Sequence, residues 1–355
     1  MVKKLKKNTD LIHHSRPFFD AGDENSIIQV LHDRYISSGR KAAFLGKVGA
    51  QLLRRKWAIP VQSGTDALVS ALKILGLKEG AKVAVPAYIC SAPLDALAFL
   101  GLRPVPVDID RNTMAVDAEL VNCLKGLEAV IAAHLFGIPA PLHEIRNDNL
   151  IEDCAQTLGV KSGARTVGSM GRLSICSFYA TKLVTSGHGG MIAGDETGLY
   201  RKAMDLFDHD NRDNWEPHLH FRMSDLNAAL GISQLKKLDR FISDRRRIAS
   251  RYAEALGQRK SGNSIFSRFL VVPAKGDAGA VIKMFEKAGI EAKRPVFKPV
   301  YIYLGEPARR FPNSAWAHEK IVSIPIYPGM EESHVERIAE LLERRKDDLR
   351  CWPPA

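Results

Sequence analysis

Between about residue 60 and residue 195 the chain alternates short β-like runs with helix-like ones, and that alternation leaves few folds open to it. KVAVP (Lys82 to Pro86) reads as a strand, followed by a helix through PLDALAFLGL. RPVPVDID, EAVIAAHLFG and NLIED (Asn149 to Asp153) read as further strands, and RLSICSF and GGMIAG complete the set. Strands separated by short helical stretches imply βαβ units and a mostly parallel sheet. In such sheets ligands bind beyond the carboxyl ends of the strands, which is where His134, Asp153 and Ser177 fall.

The stretch RMSDLNAALGISQLKKLDRFISDRRRIASRYAEAL then predicts a long amphipathic helix. Leu226, Leu230, Leu235, Leu238 and Ile242 stay close to helical spacing, with one looser step after Leu230. Beyond about residue 256 the chain restarts with SRFLVVP, a helix at AGAVIKMFEKAG and a last helix in SHVERIAELLERR. The expected organisation is α/β: residues 1–240 form an N-terminal arm and a large domain with a mostly parallel central sheet flanked by helices, and residues 241–355 a smaller C-terminal α+β domain. A length of 355 residues agrees with two domains.

Hydrophobic content of 45% and charged content of 26% are those of an ordinary globular chain with a sizeable core. The formal charge of +11 raises nucleic acid, a membrane surface or an acidic small substrate as partners. The basic residues are scattered, however, the tightest clusters being Lys3 to Lys7, Arg54 to Lys56, Arg245 to Arg247 and Arg344 to Lys346. The middle two fall in helical sequence and read as solvated faces, and no nucleic-acid motif accompanies the charge. Cys90, Cys123, Cys154, Cys176 and Cys351 form no CxxC, so neither a metal site nor a disulfide framework is expected. NTDLIHHSRPFF supplies no apolar signal core, and no apolar run is long enough to span a bilayer. The expected location is cytoplasmic, with no nucleic-acid or membrane partner.

SFYATKLVTSGHGG (Ser177 to Gly190) carries the chemistry. Lys182 follows the end of a buried strand and precedes a glycine-rich turn. An exposed lysine charge is the commoner reading of any one lysine, but a lysine at a strand end in a cleft loses hydration, which favours its neutral, nucleophilic form. Such a lysine can form a Schiff base with an aldehyde cofactor, for which pyridoxal 5'-phosphate (PLP) is the usual candidate. That cofactor needs a phosphate cradle, a carboxylate for the pyridine nitrogen and a surface against the ring.

QSGTDAL (Gln62 to Leu68) can be the cradle, because it precedes a helix whose first N–H groups, at Gly64 and Thr65, would point at an anion. Taken alone it reads more readily as an ordinary helix start with Ser63 as N-cap, and the two are compatible. IEDCAQ (Ile151 to Gln156) can supply the carboxylate: Asp153 closes a hydrophobic strand, while Glu152 points to the strand's other side. Asp153 reads equally as an acid capping the next helix. His134 reads as an orienting rather than a reacting group.

SGTDAL, VPAYICSAPLDAL followed by GLRPVPVDID, HLFG, IEDCAQTLG, GSMGRLSICSFYATKLVTSGHGG and FRMSDLNAALGISQL come in the order seen in the DegT/StrS-type sugar aminotransferases. The chain resembles that family, which consists of fold-type-I PLP enzymes, from roughly Phe18 to its end. The resemblance implies that Lys182 is the Schiff-base lysine, Asp153 the pyridine-nitrogen partner, and Gln156 the glutamine near the cofactor's phenolic oxygen. It places Gly64, Thr65 and Ser177, with Ser63 beside them, at the phosphate. It also implies a homodimer with shared active sites, a keto-sugar substrate, expected to be nucleotide-linked, and glutamate as amino donor.

Three positions depart from the family. Cys90 stands where an aromatic residue commonly stacks on the cofactor ring, with Tyr88 nearby as a substitute. His188 falls in a turn that often reads Gly-Glu-Gly-Gly, and His220 stands where an asparagine of the neighbouring subunit commonly reaches the phosphate. Arg294, Lys298 and Tyr301 occupy the stretch of substrate-facing loops. Rival readings are a sugar dehydratase on the same scaffold, a non-catalytic regulator that keeps the fold, or a PLP enzyme acting on an amino acid or cyclitol. Family dehydratases tend to carry histidine at the lysine position, so Lys182 argues against the first.

Overall fold

The computed structural model describes residues 11–208, 215–258 and 263–352, so the basic cluster at Lys3 to Lys7 lies outside the described residues. The chain opens with α1 (Ala21–Asp33) and α2 (Arg40–Leu53), then β1 (Trp57–Val61) and α3 (Gly64–Ile74). There follow β2 (Lys82–Pro86), α4 (Ala92–Phe99), β3 (Arg103–Val107), α5 (Ala118–Cys123), β4 (Ala129–Ala133) and β5 (Leu150–Asp153). A small hairpin, β6 (Lys161–Ser162) and β7 (Arg165–Thr166), leads to β8 (Leu173–Ser177), β9 (Gly190–Gly194) and α6 (Thr197–Phe207).

The central sheet has seven strands in the order β1-β9-β8-β5-β4-β2-β3. Its ladders are parallel from β3 across to β8, and β9 runs antiparallel to both of its neighbours. The strands are apolar along nearly their whole length, as both faces of the sheet are covered. WAIPV (β1) completes the sheet at one edge, and Phe221 and Arg222 lie along its outer side: the Gln62 N–H donates to the Phe221 carbonyl, 2.8 Å, and Val61 pairs with Arg222.

The long helical stretch divides into α7 (Asp225–Leu235) and α8 (Leu238–Ala255). At the break, Lys237 turns to Asp20 and Asp23 of α1, with Nζ 2.5 and 2.6 Å from their carboxylates. Asp225 starts α7 and also secures α2, accepting the N–H groups of Gly39, Lys41 and Ala42. The small domain holds β10 (Phe269–Pro273), α9 (Ala278–Lys287), α10 (Val300–Tyr303), α11 (Pro312–Lys320), β11 (Val322–Ile324), α12 (Glu332–Arg344) and β12 (Leu349–Trp352). Its strands form a three-stranded sheet, β11-β10-β12.

Helix α8 belongs to two cores: Leu238, Phe241 and Ile242 pack with the large domain, whereas Ile248 to Leu256 pack with the small one. Ile12 of the N-terminal arm joins the small-domain core and bridges to Ile290. The start of the arm therefore meets the small domain, while Phe18 further along packs on Phe241 and its carbonyl accepts from Gln234 of α7.

In each of the two middle basic clusters one arginine is buried, while Arg54, Lys56, Arg246 and Arg247 are exposed as expected. Helix α2 ends at Leu53, and Arg55 is buried, its Nε donating to the Gly168 carbonyl (2.6 Å) and its Nη1 paired with Asp195 (2.8 Å). Arg245 is also buried, donating from Nη1 to the Ile326 carbonyl at 2.7 Å, and burial pulls its pKa down to about 9.

Glu152 is fully enclosed. It is 2.9 Å from His134 Nε2 and accepts the N–H groups of Gly168, Met170 and Gly171. Burial opposes the charge, but His134 and these N–H groups overcome it and hold the carboxyl below its ordinary value of 4.5. The folded pKa is depressed, so the contribution to stability is present above pH 4.5 and shrinks as pH falls through the folded value. Glu152→Gln is expected to lower stability by about 2–3 kcal/mol at pH 7. Urea titrations at pH 7 and in acid should show the gap between wild type and variant narrowing as pH drops.

Candidate active site

At the carboxyl edge of the sheet, strand ends bring together residues that are far apart in sequence. β5 ends on Asp153, β8 on Ser177, and β9 starts at Gly190 directly opposite Ser177. Lys182 lies in the turn between β8 and β9, its N–H donating to the Tyr179 carbonyl at 2.9 Å.

Helix α3 begins against this edge. Ser63 caps it, its hydroxyl accepting the Asp66 N–H at 3.0 Å. The first N–H groups of a helix have no intrahelical acceptor, and those of Gly64 and Thr65 meet no protein acceptor among the described residues. A Cβ on Gly64 would lie 2.8 Å from Ser177 Cβ and 3.1 Å from its hydroxyl, so the absence of a side chain lets the helix start close onto the β8 end. Gly190 works the same way from the other side, because a Cβ there would lie 2.2 Å from the Ser63 carbonyl oxygen. Two N–H groups at the positive end of a helix and a serine hydroxyl beside them are the parts from which an anion cradle can be built. Gln62 Nε2 donates to the His220 carbonyl at 2.6 Å, which sets His220 next to the cradle, exposed at its rim.

Asp153, Cys90 and Lys182 lie close enough for their charges to act on one another. Asp153 is 8% exposed, and its Oδ1 accepts the Ala155 N–H at 2.8 Å. Burial raises its pKa against the pull of that N–H and of Lys182. Burial lowers the pKa of Lys182, the Cys90 thiol and Asp153 oppose that, and Arg268 lowers it further. A lowered pKa is the direction that a nucleophilic amine requires. Cys90 is accessible to solvent, yet desolvation against the cleft wall pushes its thiol pKa up, with Lys182 acting in the opposite sense. Gln156 Oε1 accepts the Phe136 N–H at 3.1 Å, which leaves its NH2 group as the donor.

Tyr88 is not part of this cleft. It is fully buried, its ring lies edge-on to Phe136, and its hydroxyl is directed at the Ala317 carbonyl. The expectation that it substitutes for a ring-stacking residue is therefore corrected: Ala87, Tyr88 and Ile89 are all buried in the bend that follows β2. Tyr301 is likewise buried against Phe311, and the Arg294 Nε is held by the His318 carbonyl. Lys298 stands over the Tyr303 ring. His188 is exposed, edge-on to Tyr179 at 5.4 Å. His134 donates to Glu152 and accepts the Ala140 N–H, a role confined to orientation. Sequence reasoning passed over Arg268, whose signal was a charged residue opening the otherwise apolar strand FLVVP.

An amine of lowered pKa, a buried carboxylate, an amide donor and an anion cradle at one sheet edge fit the parts that PLP requires. A groove of about 680 Å³ along α2, β1 and α6 is lined by Lys47, Lys56, Tyr200 and Arg222 among others, but by neither Lys182 nor Asp153. Among the described residues no group of acidic, histidine or cysteine side chains could hold a metal ion, and no helix is long and apolar enough to cross a membrane.

The profile of the DegT/DnrJ/EryC1/StrS aminotransferase family matches residues 19–343, and the chain belongs to that family. Its fold is shared with Spr1654 of Streptococcus pneumoniae, assigned as a sugar aminotransferase and solved in its PLP form (TM-score 0.86, 20% identity, covering 95% of this chain and 99% of that one). It is shared also with DesV of S. venezuelae, solved with a ketimine intermediate (TM-score 0.83, 23% identity, 94% and 99% covered). A third similar structure is the E. coli GDP-4-keto-6-deoxy-D-mannose-3-dehydratase with bound hydrated PLP (TM-score 0.83, 22% identity, 93% and 99% covered).

Because the cradle depends on the missing side chain, Gly64→Ala is expected to weaken PLP binding about ten-fold while the protein stays folded. Titration of apo-protein with PLP, followed by visible absorbance, checks this; an unchanged dissociation constant would remove Gly64 from the cradle.

Proposed function

We propose that the chain is a PLP-dependent aminotransferase that moves an amino group from L-glutamate to a nucleotide-linked keto-sugar. The observation that carries this reading is Lys182, an amine of lowered pKa facing a buried carboxylate beside an anion cradle. When bound, PLP supplies an aldehyde carbon that exchanges amines and a ring that draws electrons from the carbon next to the nitrogen. Gly64 and Thr65 N–H and the Ser177 hydroxyl would hold its phosphate, with Ser63 fixing the helix start. Asp153 would serve as the anion for a protonated ring nitrogen, and the Gln156 amide would donate to the phenolic oxygen. Lys182 would be the residue that holds the cofactor covalently, and its free amine would carry the proton between the donor α-carbon and the acceptor.

Cys90 presents a small thiol to the cleft, so grip on the ring rests on Asp153, Gln156 and the cradle more than on stacking. The exposed apolar side chains Ile28, Leu31, Tyr35, Ile36 and Phe44, on α1, α2 and the turn between them, support a homodimer. His220 at the cradle rim fits a site shared between subunits.

The test is a visible spectrum of purified protein with PLP, before and after L-glutamate. A band from covalently held cofactor that bleaches with glutamate is expected in the wild type and absent in Lys182→Ala, whose circular dichroism should be unchanged. A wild type that forms no band, or a variant that keeps turnover, would sink the reading. The lowered pKa gives a second expectation. The pH at which apo-protein captures PLP half-maximally should lie below that of a free lysine amine, and a profile matching free lysine would contradict the enclosed position of Lys182.

A further inference from the structure

The ring of His134 closes a loop. β4 ends at Ala133, and the chain leaves the sheet through His134 to Ala140. The Ala140 N–H returns to Nδ1 of His134 at 2.9 Å, and Nε2 of the same ring lies 2.9 Å from Oε1 of Glu152. A main-chain N–H needs an acceptor opposite it, so Nδ1 keeps its lone pair and the ring proton sits on Nε2, donated to the carboxylate. One enclosed ring thus ties both ends of the loop to each other and to β5.

Inside that tie the backbone bends sharply, with φ of 60° at Phe136 and 86° at Gly137. Left-handed backbone is unfavourable at a bulky residue and persists only where the surroundings hold it. The bend sets the Phe136 N–H 3.1 Å from Oε1 of Gln156. The main chain of His134 grips the same segment on either side of that glutamine. Its N–H donates to the Asp153 carbonyl at 3.1 Å, and its carbonyl accepts the hydroxyl of the buried Thr157 at 2.8 Å. The loop therefore meets the segment that carries Asp153 and Gln156 at three points. Glu152 would keep the N–H groups of Gly168, Met170 and Gly171 if the ring were removed, so the strand end stays fastened and the loss falls on the loop.

We propose that His134 is a positioning residue for the cofactor: through the loop it closes, it fixes the Gln156 amide with Oε1 on the Phe136 N–H and the NH2 group toward the phenolic oxygen. The proposal rests on the PLP reading of the Lys182 site. A carboxamide offers a donor or an acceptor according to a half-turn of its plane. With the Phe136 N–H in place an oxygen must face it, and the other end is a donor. Without that N–H both orientations are open, and one of them sets an acceptor against a phenolate, which repels it. His134 is itself fully enclosed, so it acts on the cofactor only through the loop.

The test is a double-mutant cycle on the full-length protein: wild type, His134→Ala, Gln156→Ala and the two combined. The dissociation constant for PLP is read by titrating apo-protein and following visible absorbance, and stability is read in urea. Each single change is expected to weaken PLP binding about ten-fold. The double variant should be weaker than Gln156→Ala by no more than about two-fold, because His134 then has no amide left to position. A merely structural histidine would give losses that multiply, about a hundred-fold in the double variant, and that result would overturn the proposal. So would an unchanged affinity in His134→Ala or in Gln156→Ala. His134→Asn, whose side-chain oxygen can take the Ala140 N–H, should recover part of the affinity. If His134→Ala fails to fold, His134→Asn and Thr157→Val carry the same cycle against Gln156→Ala. A wild type that binds no PLP would instead defeat the reading of the site, a different result from a wild type that binds it while the two positions act independently.

Discussion

Two adjacent carboxylates on one strand, Glu152 and Asp153, point to opposite faces of the central sheet, and the site depends on that division. Alternation along a strand makes it unavoidable. On one face Glu152 draws in His134, the Gly168 to Gly171 turn and, at 3.8 Å, the Arg55 guanidinium, so the end of β5 is fastened by a buried charge whose partners are nearly all supplied. On the other face Asp153 has one N–H partner and faces the Lys182 cleft. A buried carboxylate that is fully satisfied is structural, and one left with spare acceptor capacity is available to a ligand. The first makes the second possible, since the strand end cannot shift without breaking the Glu152 network.

Close approach governs the cradle in the same way. Gly64 and Gly190 sit where a Cβ would collide with Ser177 on one side and with the Ser63 main chain on the other. The helix start and two strand ends converge only because both residues lack side chains. The sequence shows glycines at these positions but not which neighbours they admit, because Ser177 and Gly64 are 113 residues apart and the registers of β1 and β8 on β9 bring them together.

What was legible in the sequence was whatever is local. Buried parallel strands read as apolar runs, and Lys182, Asp153 and the helix start after Gln62 stand at strand ends visible in the pattern. What was not legible depends on contacts across the fold. Arg55 and Arg245 look like parts of solvated basic runs, yet each is neutralised or hydrogen-bonded by carbonyls from other elements. Tyr88 and Cys90 lie two residues apart after β2, and nothing in their composition says that the tyrosine turns into the core while the cysteine meets the cleft. The division between α7 and α8, at Lys236 and Lys237, is not marked by the looser step after Leu230, which lies inside α7, and it becomes intelligible once Lys237 is seen reaching two carboxylates at the start of α1.

The cleft lies on the seam between two cores, and this decides how its charges are balanced. Asp153 and Cys90 come from the large domain and favour the ammonium form of Lys182; Arg268 comes from the small domain and disfavours it. Any change in the distance between the domains would alter that balance, because one side of it moves with each. The parts that fix the distance are α8, which runs through both cores, and the arm, whose Ile12 pairs with Ile290 and whose His14 contacts an arginine 254 residues away. A segment far from Lys182 in sequence therefore contacts, through His14, the arginine whose charge lowers the pKa of that amine.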